Sequence, residues 1–267
     1  MYLLTLKIPG MKKLFHAALF LAVMVLCPVF HLEAQEAGQT DQLYYCWEET
    51  VKPEFIQDYL AYYKELIGIC REVSYPFPIV TWEARHMVFQ FWSPMNSLSD
   101  IASIPWAWGR VIERFGEEKY QSLQNTILFK YAKTATVLGD LTYLPADPNT
   151  SVWERDYCRW IEMYLKPGTD TDFLEAMQWF NAQRSAYQVQ QYLNVTRGDL
   201  GFEQPDYIVT YYDISQEILD LSFQVATEEF SKSYQEFLTR IRKLFRKPPE
   251  VLNLYRINEL SYFPSGS

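Results

Sequence analysis

Two glutamates, Glu48 and Glu162, offer the clearest chemistry in this chain. They stand 114 residues apart, each four residues before a Lys-Pro pair, Lys52-Pro53 and Lys166-Pro167. Each sits in an aromatic and β-branched run that reads as a strand, and side chains alternate across a strand with period two. Counting back from the lysines puts Tyr44, Cys46, Glu48 and Thr50 on one face, matched by Cys158, Trp160, Glu162 and Tyr164. The other face carries Tyr45, Trp47 and Val51, matched by Arg159, Ile161 and Leu165, and is the better helix-packing layer, with Glu49 and Arg159 out of character there. Glu48 and Glu162 are therefore predicted to project into a space between two sheets. Paired carboxylates in a partly apolar space suit acid-base work, or grip a ligand hydroxyl or amine. The plainer reading places them at strand ends, hydrated or paired with Arg85 or Lys52.

Trp82, Gln90, Trp92 and Trp160 are candidates to line the same space as an aromatic platform, against the reading that they are plain core. His86 precedes a strand near a tight connection; it is a weak candidate proton handler or haem ligand, or else a rim residue. His16 and His31 fall in the N-terminal region, so no set of histidines is left to hold a metal, and no metal site is predicted. The chain has no phosphate-cradling glycine loop, no dinucleotide fingerprint and no nucleophile elbow, and no cofactor is predicted. Cys46, Cys70 and Cys158 form no C-x-x-C pair; they read as three buried thiols or as one disulfide with one thiol over.

The 267 residues carry 33 Asp plus Glu against 24 Lys plus Arg, a net charge of −9, with no basic stripe to follow a phosphate backbone. Nucleic acid is excluded as a partner on that ground. Met11-Lys12-Lys13 opens a basic segment, Leu14 to Phe30 is apolar, and Leu32-Glu33-Ala34 is an acceptable cleavage site. Residues 1–34 are read as a secretory signal with its start at Met11; an uncleaved anchor and a lipoprotein modified at Cys27 are the rivals. No later stretch has the length and apolarity of a membrane span. The expected location is the periplasm.

An offset of 114 residues aligns more than the glutamates. Asp58 falls on Asp172, Tyr120-Gln121 on Tyr234-Gln235 and Lys133 on Lys247; with five more residues inserted, Asp140 to Pro145 falls on Glu259 to Pro264. The chain reads as two copies, 43–145 and 154–264, joined by a polar linker at 146–153. In the first copy a strand Leu43–Val51 leads into a helix to about Glu72, then short strands at 79–83 and 87–92. A long helical region continues through Leu123, Ile127 and Tyr131 to a last strand at 137–144. The second copy repeats this with strands 157–165, 192–196, 207–213 and 252–263, and helices 172–188 and 216–247. This order, βαββαβ twice, is the α+β ferredoxin-like arrangement, whose uncovered sheet face needs a partner.

The strand-ending Val51-Lys52-Pro53 and Leu165-Lys166-Pro167, each followed by a helix with Asp58 or Asp172, together with the element order, resemble the dimeric α/β-barrel superfamily. Antibiotic-biosynthesis-monooxygenase-like and NIPSNAP-like proteins belong to it. The resemblance implies two antiparallel sheets packed as a barrel within one chain, monomeric or homodimeric, and carries over no catalytic set. The functional expectation is a secreted protein binding a small apolar or aromatic ligand between the sheets. The alternatives are a cofactor-independent monooxygenase or isomerase, and an envelope interaction protein with no small-molecule site.

Overall fold

The computed structural model describes residues 40–145, 155–201, 206–224 and 227–264. The expected signal (1–34) and the linker (146–153) lie outside these. The first half of the chain runs β1 (Gln42–Val51), α1 (Ile56–Glu72), β2 (Val80–Arg85), β3 (Val88–Met95), α2 (Leu98–Phe115), α3 (Glu117–Thr126) and β4 (Ile127–Val137). The second half runs β5 (Tyr157–Tyr164), α4 (Asp170–Ala186), β6 (Tyr192–Gly198), β7 (Asp206–Asp213), α5 (Gln216–Gln224), α6 (Glu228–Arg242) and β8 (Glu250–Arg256).

Local chemistry explains the boundaries. Pro53 opens the helical turn that leads into α1, where its missing N–H costs nothing. Tyr59, Tyr63, Leu66, Ile67 and Cys70 then recur at helical spacing and are buried. Asp100 accepts from the backbone amides of Asn96 and Ser97 at 2.8 and 3.2 Å, closing the start of α2. Gly116, at φ +96°, turns the chain between α2 and α3.

The eight strands join edge to edge in the order β1-β3-β2-β8-β5-β7-β6-β4, a closed antiparallel barrel. Within each half the order is last strand, first, third, second. The halves meet where β2 pairs β8 (Trp82 opposite Arg256) and where β6 pairs β4 (Thr196 opposite Val137). Closure leaves two kinds of core. Outside, Trp47, Val51 and Phe91 pack under α1 and α2, while Met163, Leu165 and Val209 pack under α4 and α6. Inside, Val80, Trp82, Cys158, Trp160, Ile208 and Leu254 fill the barrel.

Four expectations are corrected. The helix does not run on through Ile127 and Tyr131: β4 begins at Ile127 and pairs with β1 along its whole length. The Leu123-Ile127-Tyr131 spacing fits a helix, but Ile127, Phe129 and Tyr131 equally fit a strand, and tertiary pairing decides. The segments at 137–144 and 257–263 are not strands but short 3₁₀ turns at Gly139–Leu141 and Asn258–Leu260, followed by single bridges. The predicted helix 216–247 is divided into α5 and α6, and the strand after it ends at Arg256. Lys133 also does not match Lys247. Lys133 lies opposite Cys46 as Leu252 lies opposite Trp160, so the five extra residues of the second half fall ahead of β8.

Candidate functional site

Strand alternation places the two glutamates as the lysine register predicts. Trp47 and Val51 turn outward to the helices, and Glu48 and Glu162 turn inward, near the C-terminal ends of β1 and β5. The two residues out of character on the outer face are accounted for. Buried Glu49 accepts the hydroxyls of Tyr59 at 2.9 Å and Tyr63 at 2.6 Å and meets Lys130 at 2.6 Å. Arg159 meets Asp220 of α5 at 2.8 Å.

At this end the barrel opens into a cavity of about 390 Å³. Glu48 and Thr50 of β1, Gln90 and Val88 of β3, and Tyr131 and Lys133 of β4 form one wall. Glu162 and Tyr164 of β5, Leu252 of β8, and Ala84 and Arg85 of β2 form the other, with Gly201 beyond β6 at the rim. Gly201, at φ +83°, lies so close to β4 that a Cβ there would meet the Ala132 carbonyl at 2.8 Å.

The two carboxylates keep different company. Glu48 accepts Gln90 Nε2 at 2.7 Å and lies 3.7 Å from Lys133 Nζ, whose side chain is only 4% exposed. The Lys133 ammonium also sits over the Trp160 and Tyr131 rings, at 5.2 and 5.4 Å. Burial raises the Tyr131 phenol well above its ordinary range, with the Glu48 carboxylate adding to the effect and Glu162 contributing at longer reach. Glu162 accepts the Tyr164 hydroxyl. The pairing partners differ likewise: Glu48 lies opposite Gln90 and Tyr131, whereas Glu162 lies opposite Ile208 and Glu250.

Of the predicted residues, Glu48, Glu162 and Gln90 line the cavity, and Trp82, Trp92 and Trp160 do not. The three tryptophans lie behind it as packed interior, with Trp92 and Trp160 edge to face at 5.5 Å and Trp92 Nε1 donating to Gln90 Oε1 at 3.2 Å. The cavity wall is thus largely polar rather than aromatic. His86 is exposed at the β2–β3 turn, 4.0 Å from Glu83, and lines no part of it. Cys46, Cys70 and Cys158 are free and buried. Sequence reading misses Tyr131 and Lys133, hidden by the helix expectation for β4, and Gly201; it places Tyr164 on the inward face beside Glu162 without making it a candidate. It considers Arg85 only as a counter-ion.

No family model matches the chain, and no curated protein matches it. Solved structures do. A candidate monooxygenase from Lactobacillus acidophilus NCFM superposes with a TM-score of 0.54 at 9% identity, covering 84% of this chain and 97% of its own. An anthrone oxidase-like protein gives 0.54 at 15% identity, with 84% and 93% covered. A candidate monooxygenase from Fusobacterium nucleatum gives 0.53 at 8%, with 81% and 93% covered. The chain shares their fold. At such identities the likeness is one of architecture.

Proposed function

We propose that the protein binds a small molecule in the cavity at the Glu48–Glu162 end of its barrel, and that the ligand carries a polar head with a short apolar remainder. One observation carries this reading: Glu48, Glu162, Lys133 and Arg85 converge on one cavity while the middle of the barrel is filled with tryptophan and aliphatic side chains. The polar wall amends the expected apolar or aromatic ligand, leaving Val88, Ala84 and Leu252 to hold its apolar part. A fragment screen read by thermal shift tests it, using the wild type and the Glu48→Gln, Glu162→Gln double variant. Hits are expected to stabilise the wild type and to lose most of their effect in the variant. Hits indifferent to both substitutions would remove the cavity from consideration.

Two further parts of the reading concern origin and place. The halves are taken as two copies of one ferredoxin-like unit, a reading supported by the repeated element order and by the equivalent strand joins β2–β8 and β6–β4. Residues 1–34 are taken as a signal for export to the periplasm; a mature N-terminus near residue 35 in the periplasmic fraction is the expected observation. Among the described residues no helix is long and apolar enough to cross a membrane.

The second reading is an enzyme, favoured by fold neighbours named as a candidate monooxygenase and as anthrone oxidase-like. A carboxylate of the cavity would take a proton from an activated aromatic, with dioxygen as the oxidant. Oxygen uptake with anthrone above the uncatalysed rate, lost in Glu48→Gln or Glu162→Gln, is the result this reading requires.

A further inference from the structure

The two halves of the barrel supply a carboxylate at the same inward position, and the comparison between them shows what Glu162 lacks. Around Glu48 the neighbouring strands offer Gln90, Tyr131 and Lys133: an amide donor, a phenol and an ammonium. The places that correspond by pairing around Glu162 hold Ile208, Glu250 and Leu252, which donate nothing from their side chains. The cations beside that wall meet Glu250 or the Tyr164 ring, and none of them meets Glu162; Arg246 lies over the Tyr164 ring at 5.6 Å. Lys247 Nζ lies 3.2 Å from Glu250 Oε1 and over the Tyr164 ring at 3.3 Å, and Arg85 lies 3.9 Å from Glu250. Among the described residues no cation stands within ion-pair distance of Glu162, and its donor is the neutral Tyr164 hydroxyl. A carboxylate on the wall of a cavity has room for several donors, and charge-assisted ones are the strongest it can take.

We propose that Glu162 is the recognition residue for an ammonium group on the cavity's ligand, which is therefore a small primary amine. The ammonium takes the place at Glu162 that the Lys133 ammonium takes at Glu48, and the short chain or ring behind it rests on Val88 and Leu252. Glu48, already neutralised by Lys133, contributes shape and polarity rather than charge. This assignment rests on the cavity reading above and narrows it to one chemical class.

The test titrates the full-length protein by calorimetry with benzylamine, cyclohexylamine and 1,5-diaminopentane, against benzyl alcohol and benzoate as matched neutral and anionic probes. Benzylamine is expected to bind more tightly than either matched probe. Its affinity should fall at least about tenfold in Glu162→Gln, the size of one lost charge-assisted hydrogen bond, and change less than about threefold in His86→Gln, an exposed residue outside the cavity. Gln keeps an acceptor for Tyr164, and unchanged thermal unfolding of the variant shows that its fold is intact. Equal binding of benzyl alcohol or benzoate, blocked by Thr50→Trp on the cavity wall, overturns the ammonium assignment and leaves the cavity as the binding site. Amine affinity that survives Glu162→Gln, or absence of binding by all three amines, overturns it as well. The cavity reading itself falls only if the fragment screen is also blank, or if its hits are indifferent to both glutamate substitutions.

Discussion

Tyr143 and Tyr262 make the same contact in opposite directions across the barrel. The Tyr143 hydroxyl donates to the Val189 carbonyl at 2.8 Å, just past the end of α4, and the Tyr262 hydroxyl donates to the Tyr75 carbonyl at 2.8 Å, just past the end of α1. Each tyrosine also bridges the other half through its backbone, Tyr143 to Leu193 and Tyr262 to Ile79. The closing phrase of each half is thus clasped onto the first helix of the other. Either Tyr→Phe change is expected to cost about 1–2 kcal/mol, the loss of a hydrogen bond that leaves a carbonyl unmet. The two sites share no partner, so urea unfolding of the double variant should give the sum of the singles.

The buried thiols predict how the protein behaves in alkali. Burial pushes the Cys46 and Cys70 thiols up to about 12, with Lys133 opposing at Cys46 and Arg71 at Cys70; burial alone raises Cys158. At pH 8 the native state therefore holds roughly a thousandfold less thiolate at Cys46 than an ordinary cysteine would. Labelling with a disulfide reagent is expected to be negligible until denaturant is added, and then to report three thiols in the described part of the chain. The sign of the stability effect follows. The unfolded chain loses these protons from about pH 9 upward while the folded chain keeps them until about pH 12, so stability is full below pH 9 and falls steadily across that window. Tyr44, likewise raised to about 12 by burial, adds to the same slope.

The inward pointing of Glu48 and Glu162 came from alternation alone, because Lys52-Pro53 and Lys166-Pro167 fix where each strand stops. The first strand and helix of each half were legible for the same reason. Alternation gives a face but not a depth, so it could place Trp82, Trp92 and Trp160 inside without showing that they fill the interior behind the cavity. Tyr131 and Lys133 stayed hidden because Leu123, Ile127 and Tyr131 fit both periods, and the pairing of β4 with β1 is a long-range choice. Glu49 looked like an error in the pattern because its partners, Tyr59 and Tyr63, lie 10 and 14 residues away and read as core aromatics.

Gly201 tests how closely the chain beyond β6 must approach β4. Its φ of +83° disfavours any side chain, and an added Cβ would meet the Ala132 carbonyl at 2.8 Å and the Lys133 Cα at 3.2 Å, both of them backbone. Gly201→Ala is expected to cost about 1–2 kcal/mol from the left-handed backbone alone, with the contact adding to it. Because Leu200 O accepts the Thr134 amide at 2.9 Å, the change should also loosen that junction. Hydrogen exchange at Thr134 is the measurement, and protection as strong as in the wild type would contradict the close-packing account.

The Glu49 cluster can be exchanged for an apolar one that the same fold already contains. At the positions 114 residues on from Glu49, Tyr59 and Tyr63 the second half carries Met163, Phe173 and Met177, all buried in its outer core. Glu49→Met alone leaves two phenols without their acceptor, at a cost of about 1–3 kcal/mol for each buried hydroxyl left unmet. Tyr63→Phe alone leaves the carboxylate one donor short while Lys130 still neutralises it, and should cost less. The triple change Glu49→Met, Tyr59→Phe, Tyr63→Met removes the desolvation penalty of the carboxylate together with both orphaned groups. It is expected to be at least as stable as the wild type, because Lys130, its side chain 39% exposed, can turn to water, and replacing a buried charged cluster by well-packed apolar groups is often neutral or stabilising by about 1–4 kcal/mol. Chemical denaturation of the three variants decides the matter. A triple variant less stable than Glu49→Met would mean that the cluster stabilises the first half in a way the apolar core of the second half cannot replace.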